Sequence, residues 1–279
     1  MFIKNFNNNC GDYWSSPQFY FSDFKDYPTT ELKNVDQNTN LKNFVILGGG
    51  PLGVKSIMDK ILLLKTNNQI KLICWGVGFN EFDFLKLGKL ITTIDQLKKV
   101  KENYFKDFDL IGLRDADIKK FKYFWVPCTS CLNPYFIKFH KTSSIKKIGV
   151  YYHHDLKFFV NGVLDEDYLS NEGTDIEEKI EFISRYEYII TNSYHGVYWA
   201  QLLKKKVICL PFKSSLFRFP TPPIFLRYDN FKLIIDKKSN KQTFKIKDDV
   251  FEQCIVDPDF LDKSIVANYD FYKKVKEII

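Results

Sequence analysis

Several things are missing from this chain of 279 residues. The opening stretch MFIKNFNNNC carries no apolar core of signal-peptide length, and nowhere does an apolar run approach the length that spans a bilayer. A secreted or membrane-spanning protein is thus not expected; the expectation is a cytoplasmic chain, with peripheral contact at the inner membrane face as a further expectation. Of six cysteines only Cys128 and Cys131 form a CxxC, and no second Cys or His pair follows to complete four zinc ligands. Six thiols without a spacing framework read as reduced core residues, and no metal is expected. No internal repeat is visible. The basic residues, 41 against 34 acidic for a net charge of +7, are dispersed along the chain, which argues against nucleic acid and suits phosphorylated substrates.

What is present is a series of apolar runs, each ending in polar or glycine-rich turns. The most informative is Tyr188 to Phe212. Ile189-Ile190-Thr191 reads as a strand, Asn192-Ser193 as a turn, Val197, Ala200, Leu202 and Leu203 as a helix, and Val207 to Leu210 as the next strand. Ser193 is placed to cap the helix, so its positive end opens onto Tyr194, His195 and Gly196. There His195 reads as a proton donor, as a phosphate ligand, or as a polar residue of the first helical turn.

The first half holds a second such place. Phe44 to Leu47 reads as a strand running into Gly48-Gly49-Gly50-Pro51-Leu52-Gly53, and Ile57, Met58, Ile61, Leu62 and Leu64 follow at helical spacing. The loop lacks the Lys-Ser/Thr ending of a P-loop and does not fit GxGxxG in register, which leaves glycines presenting backbone N–H groups to a phosphate or sugar. Lys71 to Trp75 ends in Gly76-Val77-Gly78, and Asp109 to Leu113 ends in Arg114-Asp115, an anion clamp or a structural ion pair. Gly11 and Asp12 lie ahead of Ser15-Ser16-Pro17, where a helix can begin.

The stretch from Asn133 to Ser144 reads as a polar link, which divides the chain into 1–140 and 141–279. In the second part Ile145 to Tyr152 is a strand ending in His153-His154-Asp155. Adjacent strand residues point to opposite faces, so joint metal ligation is not expected and His153 alone is assigned to a ligand surface. Thr174-Asp175-Ile176-Glu177 has the form of a capping box. Lys213, Ser214, Ser215 and Arg218 follow the strand after His195 and are candidates to complete its anion site. Phe231 to Asp236 reads as a strand, the stretch through Lys247 as a basic turn, and Lys263 to Ile279 as an amphipathic helix packing back on the first half. The fold class is α/β, in two Rossmann-like halves facing across a cleft.

With these residues in order, the chain resembles the polysaccharide pyruvyl transferase family. The resemblance rests on Asn9-Cys10-Gly11-Asp12, Gly48-Gly49-Gly50, Gly76-Val77-Gly78, Leu113-Arg114-Asp115, Ser193-Tyr194-His195-Gly196 and Leu210-Pro211-Phe212. It implies a GT-B-like fold and transfer of the enolpyruvyl unit of phosphoenolpyruvate to a sugar as a ketal, without a nucleotide cofactor or an obligatory metal. The expected setting is surface-glycan assembly: capsule, lipopolysaccharide or exopolysaccharide, on an acceptor that is free or lipid-linked. By resemblance His195 is the acid or phosphate ligand and Arg114 the carboxylate or phosphate clamp. Ser193, Tyr194, Gly196, Lys213, Ser214, Ser215 and Arg218 belong to the donor side, and Gly11, Asp12, Gly48, Gly49, Gly50, Gly78 and His153 to the acceptor side. Several family members carry Arg-Leu before the motif histidine, whereas this chain has Ser193-Tyr194. A glycosyltransferase using a nucleotide sugar is therefore the second reading, and a non-catalytic glycan-binding relative the third.

Overall fold

The computed structural model describes residues 1–4, 8–35, 43–50, 61, 65, 70–78, 107–116, 122–210, 218–227, 229–235 and 242–279. The expected Pro51-Leu52-Gly53 turn and most of the helix after it lie outside the described residues, as do Phe79, Asn80 and the segment 211–217. The chain forms two compact units. The first comprises Met1–Asn133, Lys213–Pro220 and Asp262–Ile279, the second Pro134–Phe212 and Thr221–Leu261.

The first unit holds a six-stranded parallel sheet of β1 (Phe2–Lys4), β2 (Thr29–Glu31), β3 (Phe44–Gly48), β4 (Lys71–Val77), β5 (Leu110–Leu113) and β6 (Phe124–Trp125), in the order β2-β1-β3-β4-β5-β6. A parallel sheet is covered on both faces, so its central strands β3 and β4 are apolar along almost their whole length and alternation sorts their residues between two cores. Val45, Leu47, Leu72 and Cys74 enter one core with Ile3 and Val35, and Phe44, Ile46, Ile73 and Trp75 enter the other with Phe2, Phe21 and Phe24. A register shift between Cys74 and Val77, with Gly76 at φ 64°, puts Val77 into the same core as Leu72 and Cys74. The bulge thereby sets the direction in which Gly78 leaves the sheet. A short helix, α1 (Cys10–Tyr13), follows β1 and is capped by Asn9.

The second unit begins with α2 (Pro134–Phe139), inside the stretch that reads as a polar link; Phe136 is its buried anchor. Its sheet consists of β7 (Lys146–Tyr152), β8 (Tyr168–Ser170), β9 (Tyr186–Thr191), β10 (Lys206–Cys209) and β11 (Ile224–Phe225), all parallel, in the order β8-β7-β9-β10-β11. The helix α3 (Ile176–Ser184) is capped one residue later than the capping-box pattern suggests: the Asp175 carboxylate accepts the Glu178 N–H at 3.0 Å. After β9 comes α4 (Tyr194–Leu202), every residue of which is buried. A helix buried on all sides has no solvent face to mark with polar residues, which explains why its sequence shows only a weak stripe. An antiparallel pair, β12 (Phe231–Ile235) and β13 (Gln242–Ile246), follows. The stretch expected as a basic turn thus contains a strand, because Phe244 and Ile246 turn one face into the core with Phe231. A short helix, α5 (Asp248–Glu252), precedes α6 (Phe260–Ile278), which from Asp262 onward belongs to the first unit, where its Phe271 and Val275 are buried among Phe2, Phe21 and Trp75.

In both sheets the first strand of the unit is flanked by the second on one side and the third on the other. That is the doubly wound order, and the switch point lies between the first and third strands. Among the described residues no helix is long and apolar enough to cross a membrane.

Candidate functional site

In an open α/β sheet the groups free to meet a ligand lie beyond the carboxyl ends of the strands flanking the switch point. In the first unit these strands are β1 and β3, followed by Asn9–Ser16 and Gly48–Gly50. The two segments are locked together. Gly49 has φ 64°, and a Cβ there would sit 2.1 Å from the Cβ and Oγ of Ser15; one on Gly48 would sit 2.9 Å from Pro17 Cδ. Ser15 Oγ donates to Asp12 O at 2.7 Å, and Thr129 Oγ1 donates to Ser15 O at 2.7 Å.

Gly11, Gly49 and Gly78 do not offer bare N–H groups in the way their sequence suggests. Gly11 N donates to the Asn9 side chain at 3.0 Å, Gly49 N to Trp75 O at 3.1 Å and Gly78 N to Gly50 O at 3.1 Å. Buried N–H groups find a partner within the protein, and the lack of a Cβ serves close approach instead. Gly78 shows this best: a Cβ would lie 2.1 Å from Arg114 Nε and 2.7 Å from Cζ, so the guanidinium rests on the Gly78 backbone. Arg114 N donates to Val77 O at 3.0 Å, and Arg114 O accepts the Trp125 indole N–H at 3.2 Å. Arg114 and Asp115 are both buried. Burial pushes the Cys128 thiol above its usual pKa; hydrogen bonds from Ser130 and the Arg114 charge oppose this, while Asp12 adds to it. Asp12, Cys128 and Arg114 therefore share one electrostatic neighbourhood. Arg218 belongs to this unit as well, since its carbonyl accepts the Ala116 N–H at 2.8 Å, just beyond Arg114-Asp115. Lys213, Ser214 and Ser215 lie outside the described residues.

The CxxC is a core feature. Cys128 and Cys131 are buried thiols that form no disulfide, and Asn268 Nδ2 lies 3.4 Å from Cys131 Sγ.

In the second unit the switch point lies between β7 and β9. Ser193 occupies the N-cap position of α4, yet its side chain makes no capping hydrogen bond; Thr191 Oγ1 accepts the Ser193 N–H at 3.0 Å. Thr191, not Ser193, therefore stabilises the turn. Gly196 allows α4 to lie on the sheet, because a Cβ would meet Thr191 Oγ1 at 2.1 Å and Tyr151 Cδ1 at 2.7 Å. His195 is 2% exposed and held between rings, edge-on to Tyr194 at 5.2 Å and tilted against Trp199 at 5.3 Å. A ring gripped on two sides keeps one orientation, as a proton donor or phosphate ligand requires.

Beside it, the end of β7 is tied to the end of β9: His153 N donates to Asn192 Oδ1 at 2.7 Å, and Asn192 Nδ2 donates to Leu156 O at 2.8 Å. Asn171, after β8, accepts the His154 N–H at 2.8 Å. Thr191, Asn192 and Asn171 escape a sequence reading, since buried polar residues that brace a turn look the same as surface turn residues. Their position directly after an apolar run is the one available signal.

Two parallel doubly wound sheets, each with its polar turns at the switch point, define an α/β protein built to bind ligands at its strand ends. The chain belongs to the polysaccharide pyruvyl transferase family, whose match covers residues 11–214 and so contains both sets of turns apart from Asn9 and Cys10. It is accordingly a polysaccharide-modifying transferase, and its family implies a glycan acceptor. None of the curated proteins matches the chain. Among solved structures, a functionally uncharacterised protein of Klebsiella pneumoniae subsp. pneumoniae NTUH-K2044 is similar at 17% identity, over 81% of this chain and 92% of that one, with a TM-score of 0.43.

Proposed function

We propose that the chain transfers the enolpyruvyl unit of phosphoenolpyruvate onto two hydroxyls of a surface glycan as a ketal. The supporting observation is that the family match spans Asp12, the three glycines, Arg114 and the His195 turn together. In the reaction the methylene carbon gains a proton, and the resulting oxocarbenium-like centre is attacked by one hydroxyl. The C–O bond to phosphate breaks, the second hydroxyl closes the ketal, and hydrogen phosphate leaves with the remaining proton. His195, held between Tyr194 and Trp199, is assigned to the proton or to the leaving phosphate. Arg114, laid on Gly78, is assigned to the donor carboxylate or phosphate; a planar fork fixed by its neighbours suits a bidentate anion.

In this reading the first unit, Arg114 apart, serves the acceptor and the second the donor, as in GT-B enzymes, and the acceptor is met at the inner face of the membrane. Ser193-Tyr194 ahead of His195 supplies no cation. That observation favours a second reading, a glycosyltransferase whose donor is a nucleotide sugar. Binding separates the two. Phosphoenolpyruvate, UDP, GDP, CDP and CMP are each added to the full chain, and the melting temperature is read. A ligand at about 100 times its Kd stabilises by about 2.7 kcal/mol. A shift with phosphoenolpyruvate that is absent in Arg114→Ala supports pyruvyl transfer, and a shift with one nucleotide alone overturns it.

A further inference from the structure

Within a strand, His153-His154-Asp155 would make a poor ligand set, because neighbours alternate between faces. The strand β7 ends at Tyr152, however, and these three residues lie in the turn beyond it. Released from the pleat, each offers a ligand atom within 4.8 Å of the others, and among the described residues no other group of three His, Cys, Asp or Glu does so. The two imidazoles stack with centroids 4.6 Å apart.

The hydrogen-bond pattern fixes which ring nitrogens face a ligand. Asn171 Oδ1 accepts the His154 backbone N–H at 2.8 Å, which orients the amide, and the same oxygen lies 3.0 Å from His154 Nδ1. A carbonyl oxygen only accepts, so Nδ1 carries a ring hydrogen and Nε2 is the nitrogen left to face a ligand. Nε2 lies 3.1 Å from Asp155 Oδ1. His153 Nδ1 accepts the Asp155 N–H at 3.3 Å, so it is a lone-pair nitrogen, and it faces Asp155 Oδ2 at 3.6 Å. Two imidazole nitrogens and a carboxylate thus converge on one place.

The surroundings are built to hold this arrangement. Asn171 is fully buried, and its Nδ2 has no hydrogen-bond partner among the described residues, while Asn192, also buried, grips the His153 N–H at 2.7 Å. An outer residue that takes the distal N–H of a ligating histidine and so fixes its tautomer is the usual support of a metal site.

We propose that His153 Nδ1, His154 Nε2 and the Asp155 carboxylate bind a first-row divalent transition-metal ion, with Asn171 and Asn192 as positioning residues. Two imidazoles and one carboxylate suit zinc, cobalt, iron or manganese, whereas calcium and magnesium take oxygen ligands. Three protein ligands leave at least one coordination position for an outside oxygen, from water or from a substrate at the same sheet edge. The ligand side chains are 20%, 24% and 38% exposed, so the ion enters from solvent. The site stands independently of the donor assignment. A chain that binds metal but not phosphoenolpyruvate keeps the metal site and loses pyruvyl transfer; one that binds phosphoenolpyruvate but not metal does the opposite.

The test titrates the full chain, freed of metal by chelator and dialysis, with cobalt(II) and then zinc(II). One equivalent of cobalt is expected to give visible ligand-field bands that zinc abolishes. His154→Ala and Asp155→Asn are expected to lose the bands; Asp155 lies on an exposed turn, so its variant keeps the fold, which circular dichroism checks. Asn171→Ala is expected to weaken affinity by about 10–100-fold while the bands persist, a split that a purely structural role would not produce. The proposal is overturned by non-saturable binding in the parent chain, by equal binding in Asp155→Asn, by thiolate charge-transfer bands indicating cysteine ligands, or by an NMR titration in which His154 is an imidazolium paired with Asp155 and indifferent to zinc.

Discussion

Gly196 is the residue whose replacement tests the geometry around His195 most severely. A Cβ at this position would lie 2.1 Å from Thr191 Oγ1 and 2.7 Å from Tyr151 Cδ1, where ordinary contacts begin more than an ångström further out for the first. Tyr151 is a fully buried ring and cannot retreat. Thr191 can relieve the clash only by turning Oγ1 away, which breaks its bond to the Ser193 N–H and leaves that group buried without a partner. Overpacking costs about 1–3 kcal/mol and an unsatisfied buried N–H about 1–3 kcal/mol. Alanine returns at most about 1 kcal/mol of helix propensity. Gly196→Ala should therefore lose about 2–4 kcal/mol, read as a lower urea midpoint by far-UV circular dichroism. Thr191→Ala removes the clashing oxygen, so the double variant should be more stable than the sum of the two single losses predicts by at least about 1 kcal/mol. A Gly196→Ala protein within about 0.5 kcal/mol of the parent, or a strictly additive double variant, would refute the packing of α4 on β9.

Gly78→Ala should behave in the opposite way: the clashing atoms belong to the flexible Arg114 side chain, so stability should fall by less than about 1 kcal/mol while anion binding is lost, read by calorimetry beside the urea midpoint. Asn268→Ala deprives the buried Trp75 indole N–H of its 2.8 Å acceptor and should cost about 2–4 kcal/mol by urea denaturation. For Asp109, burial pushes the carboxyl pKa up, but the Leu72 N–H and the ammonium groups of Lys65 and Lys71 outweigh it and hold the group below its ordinary 3.8. A depressed folded pKa means its contribution is present above the unfolded value and lost as pH falls through the folded one. Asp109→Asn should accordingly flatten the decline in stability below about pH 4, measured as urea midpoints against pH. Five of the six thiols are buried and the half-buried Cys254 thiol is pushed up to about 11 by burial, so in the native chain a thiol reagent should label Cys254 first, and slowly at pH 8.

Much of this molecule is legible in its sequence wherever a long apolar run meets polar punctuation. β3, β4, β7, β9 and β10 each have several consecutive apolar residues, and the turns after them hold the candidate groups. The elements that escape are those whose reason is long-range. β1 is only Phe2–Lys4, too short to show a pattern, yet its pairing with both β2 and β3 creates the switch point of the first sheet. The shared strand order of the two units leaves no sequence repeat, since pairing order constrains hydrophobicity and not residue identity. β13 alternates Phe244 and Ile246 with polar neighbours in a basic stretch, where charge masks a two-residue period. The role of the glycines is hidden for a related reason: glycine in a turn indicates close approach, and only the structure says that Ser15 and Arg114, rather than a ligand, make the approach. The His153-His154-Asp155 group escapes because an apolar run does not show the residue at which its strand stops, and that residue decides whether neighbours diverge or converge.

The most direct test of pyruvyl transfer is the affinity of the full chain for phosphoenolpyruvate, measured by calorimetry beside UDP, GDP, CDP and CMP, for the parent, Arg114→Ala and His195→Ala. Saturable binding of phosphoenolpyruvate alone, lost in Arg114→Ala and weakened in His195→Ala with both variants folded, is the predicted result. Binding of a nucleotide with no response to phosphoenolpyruvate would contradict it and make the chain a nucleotide-sugar transferase within the family.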